Sequence, residues 1–537
     1  MQDKNTRSHT PGQGIPPIDP DPAAGDHHVG ARPIAGLAPT RTALYSLLLM
    51  SIIGVVLWGY VVMRAATVGF TTDESYSFLN FVSGRTYGEI IIFPMSAGDH
   101  MLNSLCMKGL SSLLGSSALA LRAHVVLGYG IYLLACLFIV RDLCSPANRV
   151  LAFALLNLNP FLLEFFALAR GYGLGLAFML LSILLLLKCA NSSFRRSRLF
   201  ALSLLCAAVA GIANLVFLIY YIALLFVSLI AILLESRSNR RNENNPASAS
   251  QLQKHYAWLA GISSTFFAFV LPQAFRLHEK GDLYYGGEKG FVKDTILSLA
   301  KVSWYAGDFT RSMRSLTIGL VVLIVLIGLL AAIVLAWKTR LDPASQEHLM
   351  LLGLLFGASL STVALHSVLQ VRFLIDREAL LFYPLFILAF VVAAQASQLA
   401  WRRWHRHVPA VILALFVAGM GFNFVRGANL HSVRIWRFDA NTRQMLEDLS
   451  RESQRNGQNR IGLGVTSSLE PSISYYARIM NCHWLDRLDR DGLLAARYDY
   501  YYVFASDYDK LDKSGLIILK RYEPSGNFFL ARVRPPE

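Results

Sequence analysis

From Ala43 onward the chain reads as a succession of apolar blocks, each closed by a short polar stretch. The blocks run to about 18–23 residues, the length a helix needs to cross a hydrocarbon core of roughly 30 Å. They predict spans near 43–65, 121–141, 149–168, 172–189, 199–214, 217–234, 257–275, 316–337, 349–368, 378–399 and 408–426. Residues 199–234 form an apolar stretch of about 36, too long for one crossing, and Gly211 to Asn214 offers a turn that divides it. The apolar residues are continuous rather than alternating, which excludes a transmembrane barrel. The expected fold is therefore an α-helical polytopic membrane protein with about eleven spans.

The polar stretches orient these spans. Alternate loops carry Arg141 and Arg149; Lys188, Arg195, Arg196 and Arg198; Arg237, Arg240, Arg241 and Lys254; Lys338 and Arg340; and Arg402, Arg403 and Arg406. The positive-inside bias assigns this parity, and the N-terminus with it, to the cytoplasm. Segments 66–120, 171–173, 276–315, 370–377 and the tail from about 427 then lie outside. The net charge of +15 over 537 residues follows from these loops and from contact with anionic lipid. No aromatic-plus-basic module accompanies it, so nucleic acid is not an expected partner. Hydrophobic residues make up 54% and charged residues 16%, well under the charge of a soluble domain, and mean hydropathy is +0.43. The six cysteines include no CxxC pair, so neither a disulfide framework nor a zinc site is expected. Residues 1–42, rich in Pro, Gly and Asp, read as a disordered cytoplasmic tail.

Two non-membrane regions have patterns of their own. In the 66–120 loop, Leu102, Leu105, Cys106, Leu110 and Leu113 recur at spacings of three and four, which makes one apolar face of a juxtamembrane helix. DESYSFLNFVSG predicts a second such helix, anchored by Tyr76 and Phe81. From 428 to 537 the charge density rises. The helical pattern NTRQMLEDLSRES there precedes the strand-like runs RIGLGV, YDYYYVFAS and NFFLARV. This tail is expected to be a small extracytoplasmic α/β domain with its own core.

Candidate chemistry gathers on the outer parity. Asp73 and Glu74 open the first loop, and Asp99 and His100 precede its amphipathic helix. Arg170 and Tyr172 lie in ALARGYG, and Arg372 and Arg377 lie in QVRFLIDREALLFYPL beside Tyr383. Adjacent loop carboxylates are ordinarily solvated, and span-end arginines are ordinarily snorkelling anchors. Asp99 and His100 are too few ligands to define a metal site, although with Glu74 they could contribute to one for a divalent cation. Arginines on the side where cations are disfavoured nevertheless point to something anionic there. A carboxylate base can take a proton from a hydroxyl, and guanidinium groups can hold a lipid phosphate and stabilise it as it leaves. That combination suits glycosyl transfer from a polyprenyl-phosphate sugar.

At this point the order of elements resembles the GT-C superfamily of integral membrane glycosyltransferases. These features are a first span, a loop with an acidic pair and an aromatic helix, and a histidine opening a second helix. The branch resembled is the bacterial one of protein mannosyltransferase-like and aminoarabinose-transferase-like enzymes. The similarity runs through LRAHVVLGYGIYLLACLFIVRDL, NLNPFLLEFFALARGYGLGLAF and DREALLFYPLF. It implies Asp73 as catalytic carboxylate with Glu74 beside it, His100 on the second juxtamembrane helix, and Arg170 and Tyr172 at the donor cavity. Arg377 would then lie near the lipid phosphate. It also implies a bacterial inner-membrane location, a polyprenyl-phosphate-linked sugar donor and a cell-envelope acceptor. The chain departs from the pattern at His100-Met101-Leu102, where many relatives have His-Pro-Pro. Two other readings use the same residues. A flippase for lipid-linked saccharides would need arginines and a cavity, but no internal repeat is visible. A ligase or polymerase of O-antigen type would draw on His278, Lys280, Lys289, Lys293, Arg311 and Arg314 in the 276–315 loop, whose Gly286-Gly287 and aromatics otherwise suggest a cover.

Overall fold

The computed structural model describes residues 41–92, 96, 98–192, 196–241, 246–283, 285–337, 343–400, 407–458, 460–489 and 498–532. Residues 1–40 of the expected cytoplasmic tail lie outside this set, as do Arg195, Lys338, Arg340, Arg402, Arg403 and Arg406.

The chain starts with α1 (Arg41–Thr67) and then builds its first loop from three short helices. These are α2 (Thr72–Ser77), continued by a π-turn through Val82, then α3 (Tyr87–Ile92) and α4 (Met101–Leu114). Next come α5 (Ala118–Leu143), α6 (Pro146–Asn157), α7 (Pro160–Phe166), α8 (Gly171–Asn191) and α9 (Ser197–Ala213). The helical region closes with α10 (Leu218–Arg241), α11 (Pro246–Glu279), α12 (Leu297–Ser303), α13 (Arg311–Trp337), α14 (Pro343–Leu369), α15 (Phe382–Ala400) and α16 (Val408–Gly427). Every expected span falls mainly on helix, although 149–168 is interrupted. By length and composition, eight helices among the described residues can cross a membrane, or nine if α6 and α7 count as one span. This is below the expected eleven or so. One reason is α9, which has 17 residues and is therefore only about 25 Å long. The other is α13, which has the length and apolar sequence of a span but whose side chains are described only in part.

The expected span 149–168 is broken. The axes of α6 and α7 differ by 66°. Proline at 160 cannot continue the α6 hydrogen-bond ladder, and the Asn159 side chain accepts from the amides of Phe161 and Leu162 to start a new helix. The break has consequences for the site, because α7 ends at Phe166 and the chain then turns through 167–170 into α8. That turn is tight. A Cβ on Gly171 would lie 1.9 Å from the carbonyl oxygen of Ala213 and 2.9 Å from Cβ of His100. Only glycine lets α8, α9 and the start of α4 approach this closely.

The 428–537 region contains α17 (Thr442–Arg455), α18 (Glu470–Ile479) and a five-stranded sheet. Its strands are β1 (Ile461–Val465), β2 (Leu485–Asp489), β3 (Tyr500–Val503), β4 (Leu516–Arg521) and β5 (Phe528–Arg532), ordered β2-β1-β3-β5-β4. β1 pairs parallel with β2 and β3, while β5 pairs antiparallel with β3 and β4. The three expected strand runs are β1, β3 and β5. A small core of its own, with Tyr501, Val503, Leu511 and Leu530, lies within this region, and a larger one is shared with the membrane-facing part. Leu446, Leu463, Ile473, Tyr475 and Phe529 pack in one cluster with Phe70, Phe78 and Val82 of the first loop, Met107 of α4 and Leu121 of α5. Phe70 stacks on Tyr475 at 4.2 Å between ring centroids.

Candidate active site

The acidic pair starts α2 through a capping box. Thr71 caps the helix, its hydroxyl accepting from the Glu74 amide, while the Glu74 carboxylate accepts from the Thr71 amide at 3.0 Å. Consecutive helix positions point about 100° apart, so the two carboxylates leave in different directions. Glu74 is fully enclosed. It accepts from Arg122 Nε at 2.7 Å and Nη2 at 2.6 Å, and from the Ala169 amide at 2.6 Å. The remaining Arg122 donors go to the carbonyls of Ala65, Val68 and Gly69. Glu74 was expected beside Asp73 as a second catalytic carboxylate. The structure gives it no access to a substrate and no spare acceptor geometry; it ties the first loop to α5 and to the 167–170 turn.

Asp73 faces the other way and is 28% exposed. Its Oδ2 lies 3.4 Å from Nη2 of Arg170 and 3.9 Å from Nη2 of Arg377. Arg170, nearly buried, also donates to the Asp73 carbonyl at 3.2 Å and to the Ser77 hydroxyl at 2.9 Å. Arg377 is held between two rings, with its guanidinium 4.6 Å from the centroid of Tyr285 and 5.4 Å from that of Trp436. Burial acts to lower the pKa of Arg377, but Tyr172 and Asp73 outweigh it and leave the guanidinium more firmly charged than usual. The loop bearing Tyr285 is fixed to the Arg377 segment by paired backbone hydrogen bonds between Gly287 and Phe373, at 2.8 and 2.9 Å. Gly286 makes this approach possible at φ +146°, where a Cβ would meet Cβ of Arg372 at 2.5 Å.

His100 stands immediately before α4 without a side-chain capping bond and is buried against Tyr172, with ring centroids 5.2 Å apart. Burial first, and then Arg170 and Arg377, hold its pKa well below the ordinary value, so the imidazole is neutral. Three buried nitrogens in this cluster have no hydrogen-bond partner among the described residues: Nε2 of His100, Nε of Arg170 and Nε of Arg377. Donors left open at a buried site are costly, and two charged ones beside a neutral imidazole make a receptor for an oxyanion.

The other expected residues are placed as follows. Tyr172 is buried between His100 and Phe165. Asp99 adjoins His100, and its Oδ1 accepts from the Ser104 hydroxyl at 2.8 Å. Arg372 is not brought to Asp73; it pairs with Glu288 at 2.8 Å on the exposed side of the loop. Among the described residues no group of three or more His, Cys, Asp or Glu side chains could hold a metal ion. Three contributors had no sequence signal: Tyr285, Trp436 and Asp439. Asp439 is buried behind the acidic loop and accepts from the Thr72 amide at 2.6 Å, the Thr72 hydroxyl at 3.0 Å and the Ser472 hydroxyl at 2.8 Å. Burial pushes its carboxyl up to about 7, with Asp73 adding to the rise and the Thr72 and Ser472 hydrogen bonds opposing it. Arg122 did have a signal, since a lone charge in an apolar span needs a buried partner.

Fold and site together define a polytopic helical chain whose first loop, α7–α8 turn and α14–α15 connection converge on one acid between two arginines. No protein-family model matches the chain, and no curated protein does. Among solved structures it is similar to the apo structure of ArnT from Cupriavidus metallidurans, at 10% identity and a TM-score of 0.40 over 92% of this chain and 100% of that one. A second structure of the same protein, bound to undecaprenyl phosphate, shows 13% identity and a TM-score of 0.41 over 93% and 100%. Likeness at that level does not decide what the site does, and its chemistry rests on its own residues.

Proposed function

We propose that the chain is a membrane glycosyltransferase that moves a sugar from a polyprenyl-phosphate-linked donor to a cell-envelope acceptor. Asp73 is the base, and the site opens on the non-cytoplasmic face. The observation that carries the reading is the Asp73–Arg170–Arg377 cluster with its open nitrogens. Without donor, Asp73 is held by both guanidinium groups. A donor phosphate entering the cluster competes for those guanidiniums, and as they turn from Asp73 to the phosphate the buried, unpaired Nε donors of Arg170 and Arg377 can be satisfied by its oxygens. Asp73 is then free to take the proton from an acceptor hydroxyl. The acceptor oxygen bonds to the anomeric carbon, the carbon–oxygen bond to phosphate breaks, and the electron pair stays on the phosphate, where the arginines stabilise it. His100, being neutral, can donate to the phosphate from Nε2 in the matching tautomer. Glu74 and Asp439 act at a distance from the substrate by fixing the two sides of the Thr71–Asp73 turn.

Binding of undecaprenyl phosphate to the purified full chain, followed by native mass spectrometry, tests the phosphate site. The reading expects Arg377→Ala to weaken binding by at least 10-fold, about the loss of one charge-assisted contact, and Arg372→Ala to change it little. Equal affinity for wild type and Arg377→Ala would remove the phosphate from this cluster.

A further inference from the structure

A groove with basic residues at one end lies between α9 and α11, away from Asp73. α9 and α11 flank a groove of about 900 Å³ lined by Leu205, Ala208, Ile212, Trp258, Gly261 and Phe266, with Arg198 and Lys254 at one end. The C-terminal end of α9 adjoins the candidate active site, since Ala213 touches the Gly171 turn against His100. Arg198 is 15 residues earlier, roughly 22 Å away along the helix, so the charged end of the groove points away from the candidate active site, toward the side of the bundle that carries the basic loops. Leu205 and Trp258 are each more than a third exposed, which opens the groove sideways to lipid. A Cβ on Gly261 would meet nothing within 4 Å, so the wall there is recessed. Both cations are exposed, and neither is paired with a carboxylate among the described residues.

We infer that this groove binds an anionic glycerophospholipid, its phosphodiester headgroup on Arg198 and Lys254 and one acyl chain along α9 and α11. The apolar wall supplies affinity for any acyl chain, and the two exposed cations add a preference for a negative headgroup. Ser197, which also lines this end, offers a hydroxyl at headgroup depth. A groove of roughly 21 Å, from Arg198 to Ile212, is long enough to lie against most of one acyl chain. The inference needs only the membrane-spanning arrangement, so it stands or falls independently of the glycosyltransferase reading.

The full chain, purified in mild detergent, would be given equal amounts of phosphatidylglycerol and phosphatidylcholine and the retained lipid measured by native mass spectrometry. Retained phosphatidylglycerol is expected in at least 5-fold preference. Arg198→Ala with Lys254→Ala should erase the preference, Arg198→Lys with Lys254→Arg should restore it, and Gly261→Trp should lower occupancy by both lipids. Circular dichroism on each variant separates lost binding from lost fold. Retention without headgroup preference, a preference that survives the double alanine variant, or displacement of phosphatidylglycerol by undecaprenyl phosphate at equal concentration would each overturn the assignment.

Discussion

Asp73 and Glu74 share a peptide bond, yet one is partly exposed, 3.4 and 3.9 Å from two guanidiniums, and the other is sealed inside a bidentate pair with Arg122. Their substitutions should therefore differ in kind. Glu74→Gln leaves Arg122 charged and unmatched in the interior, a defect that costs about 3–5 kcal/mol; thermal unfolding of the purified protein should show a large fall in Tm, and an unchanged Tm would contradict the buried pairing. Asp439 makes a pH-dependent contribution. Its carboxyl rises from 3.8 to about 7 through burial, so the folded state binds the proton more tightly than the unfolded chain does. Its stabilising effect is complete below about 4 and is lost as pH climbs through about 7. Between pH 5 and 8 the Tm of wild type should fall more steeply than that of Asp439→Asn; parallel curves would show that Asp439 does not titrate there. At this scale the sequence exposed the acid and both arginines, because charge on the cation-poor face of a membrane chain stands out. It did not distinguish Asp73 from Glu74, since direction depends on the helix phase set by the Thr71 cap. It gave no sign of Asp439 or Trp436, which are ordinary residues of a polar segment until folding places them.

The elements were more legible than their joints. Apolar blocks located the long helices, and Asn214 ends α9 near the turn expected at Gly211–Asn214. The break between α6 and α7 was hidden because Asn159-Pro160 sits inside a stretch apolar enough to read as one crossing. Strand β2, Leu-Asp-Arg-Leu-Asp, has little intrinsic strand preference and owes its state to pairing with β1. The Gly171 joint is the most exposed to test. Gly171→Ala puts a methyl group into the Ala213 carbonyl, so α8 and α9 must separate. The expected result is a fall in Tm together with loss of function, because Arg170 is the preceding residue. A variant with wild-type Tm and wild-type undecaprenyl phosphate binding would show that the joint has room to relax.

Over the whole molecule, the first loop is the hub on which the distant parts meet. Its residues join the hydrophobic cluster of the 428–537 region, its Thr72 bonds to Asp439 and Ser468, and its Asp73 faces arginines from two other connections. Sequence alone placed the tail in a separate domain because composition changes at about 428. Packing crosses that boundary, since apolar residues such as Phe70 and Phe78 have no other interior to enter. The central claim is that this hub is a transfer site with Asp73 as its base. The most direct measurement uses purified protein in detergent micelles, where there is no second compartment, with labelled polyprenyl-phosphate sugars and an envelope extract as acceptor source. Wild type should move label from the lipid to the acceptor, and Asp73→Asn should slow that transfer by roughly 100-fold or more while still folding, by circular dichroism, and binding undecaprenyl phosphate at least as tightly as wild type, since the competing carboxylate charge is gone. Transfer at the wild-type rate by Asp73→Asn would contradict the account.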